Sequence, residues 1–240
     1  SNQLSYRPAA TRHSNPHRRM RAVAAARRVI ISNVFDAASP AEIRGPMGNR
    51  TNDLPPLSGP AHLIRELRYH EFSRQALGLL LMLIFAVFAD PEPTSFWIGA
   101  TIALLGMLVR LYASGFIVKN QQLATDGPYS IVRHPLYTGN LLLLIGFVFA
   151  SGQWWALVVA GLFWWFYYPT AIEYEDRKLH RIFGETWANW SPTVPAVIPR
   201  GLGVRSGWNW SFATSLKQNL EPLVVVYTLF WLYYIARQLG

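Results

Sequence analysis

The stretch Thr125-Asp-Gly-Pro-Tyr-Ser-Ile-Val-Arg-His-Pro-Leu-Tyr-Thr-Gly-Asn140 gathers a guanidinium, an imidazole and two phenols within a few residues. Asp126-Gly127-Pro128 is a turn signal, because Gly supplies dihedrals closed to other residues and Pro fixes its own. Arg133 and His134 stand immediately before Pro135, which suits the first turn of a helix because no backbone donor is needed there. The helix expected to follow, Leu136 to Ala150, is almost wholly apolar. Tyr129, Arg133, His134 and Tyr137 thus meet the free N–H groups of a helix start, an arrangement that holds anions. A second polar block, Glu173-Tyr-Glu-Asp-Arg-Lys-Leu-His-Arg-Ile-Phe-Gly184, sets Glu173, Glu175 and Asp176 at the start of a helix leaving the membrane. Leu179, Ile182 and Phe183 form its apolar stripe, and Gly184 is a plausible stop. Arg110 lies inside an apolar run, where a charge is costly and turns to a bundle interior or a polar cavity. Its structural readings are a side chain that snorkels or one that pairs with a carboxylate such as Glu173 or Glu175, and Lys119 and Asn120 follow at the end of the same run.

The elements that must position these groups are membrane helices. Of the 240 residues 51% are hydrophobic and only 15% charged, against about a quarter charged in a soluble domain. The apolar residues are clumped, not spread at the periods of half-buried elements. The candidate spans are roughly 75–89, 96–118, 136–150, 154–172 and 222–236. A crossing takes about 20 residues, so the first and third are short and need their flanks or a thinner bilayer. The expected fold is an all-α integral membrane bundle of about five transmembrane helices. Four spans with one re-entrant segment is the fallback.

The net charge of +9 is unevenly placed. Basic residues crowd the N-terminal segment, the 119–133 connection and the stretch 177–217, whereas Asp90-Pro-Glu-Pro93 and Ser151-Gly-Gln153 hold no Lys or Arg. The positive-inside rule then places the N-terminus, the Arg133-His134 cluster and residues 173–219 in the cytoplasm, and the C-terminus outside. The same basic loops suit anionic headgroups better than nucleic acid, so membrane lipids are expected partners and nucleic acid is not. No Cys occurs, and the six His residues lack metal-ligand spacing, so no metal site is expected.

Residues 1–60 read as a basic, Pro-containing cytoplasmic segment without a core of its own. Within it Arg18–Ala38 has the pattern of an amphipathic helix lying on headgroups, and Met20 is a candidate natural start. Gly45–Pro60, with four prolines, reads as loop. The transmembrane unit is placed at 62–240.

Two blocks in order, Gly127-Pro-Tyr-Ser-Ile-Val-Arg-His-Pro-Leu-Tyr-Thr-Gly139 and Glu175-Asp-x-x-Leu179-x-x-x-Phe-Gly184-x-x-Trp187-x-x-Trp190 with Val194-Pro195 and Pro199, closely resemble the isoprenylcysteine carboxyl methyltransferase family. That family is part of a wider membrane group that includes phospholipid N-methyltransferases. Arg110-Leu-Tyr-Ala-Ser-Gly-Phe-Ile-Val-Lys-Asn120 is similar to its bacterial members, and the likeness covers about residues 104–200. It implies an S-adenosylmethionine-dependent enzyme without a Rossmann domain, its pocket built on the cytoplasmic side from helix ends and the segment after the hairpin. By position, Arg133, His134, Leu136 and Tyr137 line that pocket, with His134 the strongest contact. The family's paired glutamates fall on Glu175, expected to contact the cofactor, and on Asp176, a departure that puts the second position's role in question. Trp187 and Trp190 stand where tyrosines are commoner.

The residue types suit this chemistry. Arg133, His134 or free N–H groups suit a carboxylate, Glu175 an ammonium or ribose hydroxyls, and aromatic faces a sulfonium. Tyr129, Lys119 and Asn120 complete the expected cofactor set, with Arg110 and Glu173 as the catalytic candidates. Methyl transfer is an in-line displacement, so positioning and desolvation dominate. A carboxylate or thiolate acceptor needs no base in the transfer step. An amine does, and Glu173 is placed to serve. The acceptor is expected to be lipophilic, isoprenylcysteine-like or a lipid, and the bacterial style of the motifs points to an inner membrane. The alternative is an NADPH-dependent membrane reductase of the sterol-reductase type, against which the short chain and the acidic block argue.

Overall fold

In the computed structural model, residues 50–52, 54–117, 122–201, 203, 210–217 and 221–239 are described. Arg18–Ala38, Lys119 and Asn120, all singled out in the sequence, lie outside them. Among the described residues every regular element is helical. The first helix, α1 (Gly59–Tyr69), starts inside the stretch expected to be loop, because Pro60 occupies a first-turn position where its missing N–H is harmless. It meets α2 (Glu71–Val87) at 69°. The bend sits at His70, whose backbone is extended at φ −76° and ψ 110°, and whose Nδ1 accepts the Ser73 N–H at 3.2 Å to cap α2.

The helices α3 (Pro93–Ser114) and α4 (Pro135–Ser151) form an antiparallel hairpin at backbone contact. Small residues make this possible. A Cβ at Gly99 would lie 2.2 Å from the Ala150 nitrogen, one at Gly146 2.5 Å from the Ala103 nitrogen, and one at Gly106 2.7 Å from the Gly139 carbonyl oxygen. Close approach of this kind lets helices pack by dispersion where no hydrophobic drive exists between them. Gly152, at φ +69°, ends α4, and the Asp90 N–H donates to the Ser151 carbonyl at 2.8 Å.

Next comes α5 (Trp154–Phe183), apolar as far as Ile172 and charged beyond it. Pro169 removes one internal hydrogen bond, and α1 braces the turn next to it. Arg68 Nε donates to the Phe166 carbonyl at 2.9 Å, and Thr170 Oγ1 donates to the Arg68 carbonyl at 3.1 Å. The chain closes with α6 (Glu185–Trp190), α7 (Phe212–Lys217) and α8 (Glu221–Ala236).

Phe85, Ala103, Phe147, Ala156, Phe163 and Ile235 unite α2, α3, α4, α5 and α8 in one buried core. Outside it, Trp97, Leu108, Leu157, Leu162, Trp165 and Val226 are exposed, a surface suited to lipid. All five apolar segments read from the sequence are therefore helical. Of these, α3 and α5 are long and apolar enough to cross a membrane, and α1 with α2 makes a third if the bent pair is one span. The shorter apolar helices α4 and α8 have 17 and 16 residues. The start of α2, the end of α3, the start of α4, the charged half of α5 and the start of α8 are joined at one end of the bundle.

Candidate functional site

His134 sits at the head of α4 and is buried. Its Nε2 lies 2.8 Å from Asp176 Oδ1, and its ring stacks on Tyr137 with centroids 5.5 Å apart. The other Asp176 oxygen accepts from Arg133 Nη2 at 2.8 Å. Arg133 Nη1 donates to the carbonyls of Ser191 and Val194, at 3.0 and 2.8 Å, and its Cζ lies 5.9 Å from the Trp187 ring centre. The two polar blocks of the sequence thus meet through Asp176, the very position that departs from the family pattern. Burial works to raise the Asp176 carboxyl, but hydrogen bonds and charges from His134 and Arg133 outweigh it and hold it below the ordinary aspartate range. Asp176 therefore stays ionised and acts as acceptor for both neighbours.

One expectation is corrected. Most of the backbone N–H groups around Pro135 are not free for an anion. Those of Arg133 and His134 donate to the Pro195 and Ala196 carbonyls at 2.8 and 2.9 Å, and those of Tyr137 and Thr138 to the His134 carbonyl at 2.9 and 3.1 Å. Thr138 Oγ1 adds a bond to the Val197 carbonyl at 2.7 Å. The segment after α6 is tied to the start of α4 through these bonds, and sequence periodicity carries no sign of this.

Glu175 lies beside Asp176. Its Oε2 is buried without a hydrogen bond, 3.3 Å from the Lys178 ammonium, which donates to Oε1 of the same carboxylate at 3.3 Å. Arg133 Nε is likewise buried without a partner. Tyr129, in the 3-10 turn Pro128–Ser130, is near both Glu175 and Glu221. Burial first, then those two carboxylates, push its phenol up, so it keeps its proton and can donate. Leu136 is half-buried in the first turn of α4. The Tyr137 ring packs edge-on against Tyr168 at 5.5 Å, and the Arg74 guanidinium lies 5.2 Å from its centre.

The two catalytic candidates lie outside this cluster. Arg110 pairs with neither Glu173 nor Glu175. Its Nε and Nη2 donate to Glu221 at 3.1 and 2.8 Å, and Nη1 donates to Asn140. Ser114 Oγ donates to the same Glu221 carboxylate at 2.9 Å. The side chain crosses Gly139, where a Cβ would come within 2.4 Å of Arg110 Cγ. Glu173 is two residues from Glu175 and so on another face of α5. It accepts from the Tyr69 hydroxyl at 2.6 Å, lies 3.5 Å from Arg177 Nε, and its side chain is 50% exposed.

Sequence reasoning missed Glu221, Asn140 and Arg74. Each left a signal: Glu221 is an acid heading the last apolar run, Asn140 an amide inside the third, and Arg74 a cation directly before the first. Among the described residues no group of three or more His, Asp or Glu is placed to hold a metal ion.

The family described as phospholipid methyltransferase matches residues 74–186, from Arg74 to just past the acidic block. The cobalt-zinc-cadmium resistance protein CzcN of Cupriavidus metallidurans is 36% identical over 129 residues, covering 53% of this chain and 58% of that protein. The nickel-cobalt-cadmium resistance protein NccN of Alcaligenes xylosoxydans xylosoxydans is 29% identical over 157 residues, or 61% of this chain and 72% of NccN. A protein-S-isoprenylcysteine O-methyltransferase of Schizosaccharomyces pombe is 26% identical over 144 residues, 58% of each chain. This chain thus spans less than two thirds of the length of CzcN and of the Schizosaccharomyces pombe protein. No solved structure matches it.

Proposed function

We propose, from the premise that this chain belongs to the membrane methyltransferase family that includes the protein-S-isoprenylcysteine O-methyltransferases, that it moves a methyl group from S-adenosylmethionine to a lipophilic acceptor at the membrane boundary. One observation carries the reading. His134, Tyr137, Arg133 and Asp176 converge at one end of an apolar bundle, and beside them the buried Glu175 Oε2 has no hydrogen bond. A buried acceptor left unmatched costs about 1–3 kcal/mol, so a donor from outside the chain is the natural complement.

The residues present fit the cofactor. When bound, S-adenosylmethionine supplies an electrophilic methyl group on a sulfonium. Glu175 offers its free oxygen to an ammonium or to ribose hydroxyls. Tyr137 and Trp187 offer aromatic faces to flat or cationic groups. Asp176 fixes the His134 ring through Nε2, and the Tyr137 stack sets its tilt. Tyr129, protonated, donates. Leu136 and the apolar walls of α4 and α5 keep water from the transfer, which needs alignment more than acid–base help. Arg110, committed to Glu221, fixes α3 against α8 behind the pocket. Glu173 accepts a proton only for an amine acceptor, from its place beside Tyr69. The basic loops support a cytoplasmic position for this end of the bundle, and the reading takes α1–α2, α3, α4, α5 and α8 as five crossings of a bacterial inner membrane.

Titrating the detergent-solubilised chain with S-adenosylmethionine tests the reading. Saturable binding is expected, together with transfer of a labelled methyl group into a membrane lipid extract. A folded sample that binds NADPH and not S-adenosylmethionine would falsify the proposal in favour of the reductase class.

A further inference from the structure

Arg74, in the first turn of α2, is only 7% exposed. A guanidinium carries five donors and does not deprotonate in proteins, so burial without an acceptor is costly. Its neighbours at this end of the bundle are matched: Arg110 with Glu221, Arg133 with Asp176, Lys178 with Glu175, and Arg177 with Glu173. Among the described residues the Arg74 side chain meets no carboxylate and makes no hydrogen bond. It has two rings instead, with its Cζ 5.2 Å from the Tyr137 centre and 5.8 Å from the Tyr168 centre. Cation–π contacts recover part of the desolvation and leave the donors unfilled. The positive end of α2 adds to the same potential.

The position of Arg74 ties it to the candidate site. Tyr137, which it faces, is stacked on His134, and Tyr137 is also in electrostatic reach of Glu175. Tyr137 thus lies against a little-exposed cation that meets no carboxylate, and within electrostatic reach of Glu175, whose buried Oε2 makes no hydrogen bond. We infer that Arg74 is the receptor for a ligand carboxylate bound against Tyr137. Glu175 takes the positive or hydroxyl-bearing part of what binds there. The ligand class is a carboxylate-bearing molecule, either the amino-acid end of the methyl donor or a lipophilic acid acceptor. The inference rests on the methyltransferase reading for its choice of ligands.

Two ligand pairs on the full-length chain in detergent, each differing only in the carboxylate, separate the sources. The first is S-adenosylmethionine against its decarboxylated form, and the second is N-acetyl-S-farnesylcysteine against its methyl ester. The parent should prefer the acid in at least one pair by about 10- to 100-fold, the worth of one charge-assisted hydrogen-bonded contact. Arg74→Gln should erase that preference while leaving affinity for the carboxylate-free partner within about twofold, and Arg74→Lys should restore part of it. Loss in the first pair assigns the carboxylate to the methyl donor, and loss in the second assigns it to the acceptor. A folded Arg74→Gln that keeps every preference overturns the inference. So does a parent that discriminates in neither pair, a result that needs no variant to fold. A parent that binds no S-adenosylmethionine removes the methyltransferase reading, and the acid-against-ester pair still decides the role of Arg74.

Discussion

Two charged clusters share one end of this bundle and are built on opposite terms. Around Arg110 every charge is answered: Glu221 takes two of its nitrogens and the Ser114 hydroxyl, Asn140 takes the third, and Glu221 is 1% exposed. Around His134 the matching is partial. Asp176 serves two donors with its side chain 28% exposed, Glu175 and Arg133 each keep a buried polar atom without a hydrogen bond, and Arg74 faces rings instead of a carboxylate. A sealed and saturated charge set holds helices together. An unsaturated one has room for groups that are not part of the chain. The resemblance reaches Arg110 and His134 but not Glu221, and the contrast in saturation distinguishes the two clusters.

The largest effect should come from breaking the sealed cluster. Glu221→Ala leaves a buried guanidinium uncompensated and should cost about 3–5 kcal/mol, read as thermal unfolding in detergent. Replacing both partners, Arg110→Met with Glu221→Met, should return stability to within about 1 kcal/mol of the parent. If that double variant folds and still transfers methyl groups, Arg110 is structural; if it folds and is dead, Arg110 belongs to the reaction. Next in size is Gly139→Ala, whose Cβ would press on Arg110 Cγ and the Gly106 carbonyl, for a loss of about 1–3 kcal/mol.

The open cluster should answer in binding instead of stability. His134→Ala and Glu175→Ala should each weaken S-adenosylmethionine by about 10-fold or more, with melting shifted by less than the equivalent of about 1 kcal/mol. Should His134→Ala unfold the protein as Glu221→Ala does, the contrast between the clusters fails. The smallest effect is expected from Asp176→Asn, about 1 kcal/mol at neutral pH because the pair is partly solvated. Since the folded value of Asp176 is depressed, its stabilisation is present above the ordinary aspartate value of about 4 and is lost as pH falls through that depressed value. Parent and variant melting curves should therefore converge in acid and separate by about pH 5; a gap that persists unchanged below about pH 3 would mean Asp176 contributes through shape and not charge.

What could be read from the sequence follows from range of interaction. Apolar clumping located all five long helices, because a segment's own composition decides that outcome. Gly127 to Gly139 and Glu175 to Trp190 were legible as motifs, and their meeting through Asp176 agrees with the resemblance they carry. The partner of Arg110 was not legible. Glu173 and Glu175 were the nearer acids in the motif, whereas Glu221 lies 111 residues away on a helix outside it. The occupied N–H groups of Arg133 and His134 were also hidden, because their acceptors are carbonyls of Pro195 and Ala196, and any residue type supplies a carbonyl. The bend at His70 left only a weak trace, a polar residue whose ring happens to reach Ser73.

The separation between Arg110 and Glu221 also has a meaning in time. A ribosome adds roughly 5–20 residues per second, so Arg110 enters the bundle roughly 5–20 s before its counter-ion exists. The α3–α4 hairpin needs nothing beyond Ser151 to zip along its glycine seam, and it carries that guanidinium with it as it forms. Through this interval the nascent chain holds a cation in an apolar setting with only Asn140 to accept from it. Emergence of the last helix ends that exposure. A translation product that stops short of residue 221 would leave that guanidinium without its carboxylate.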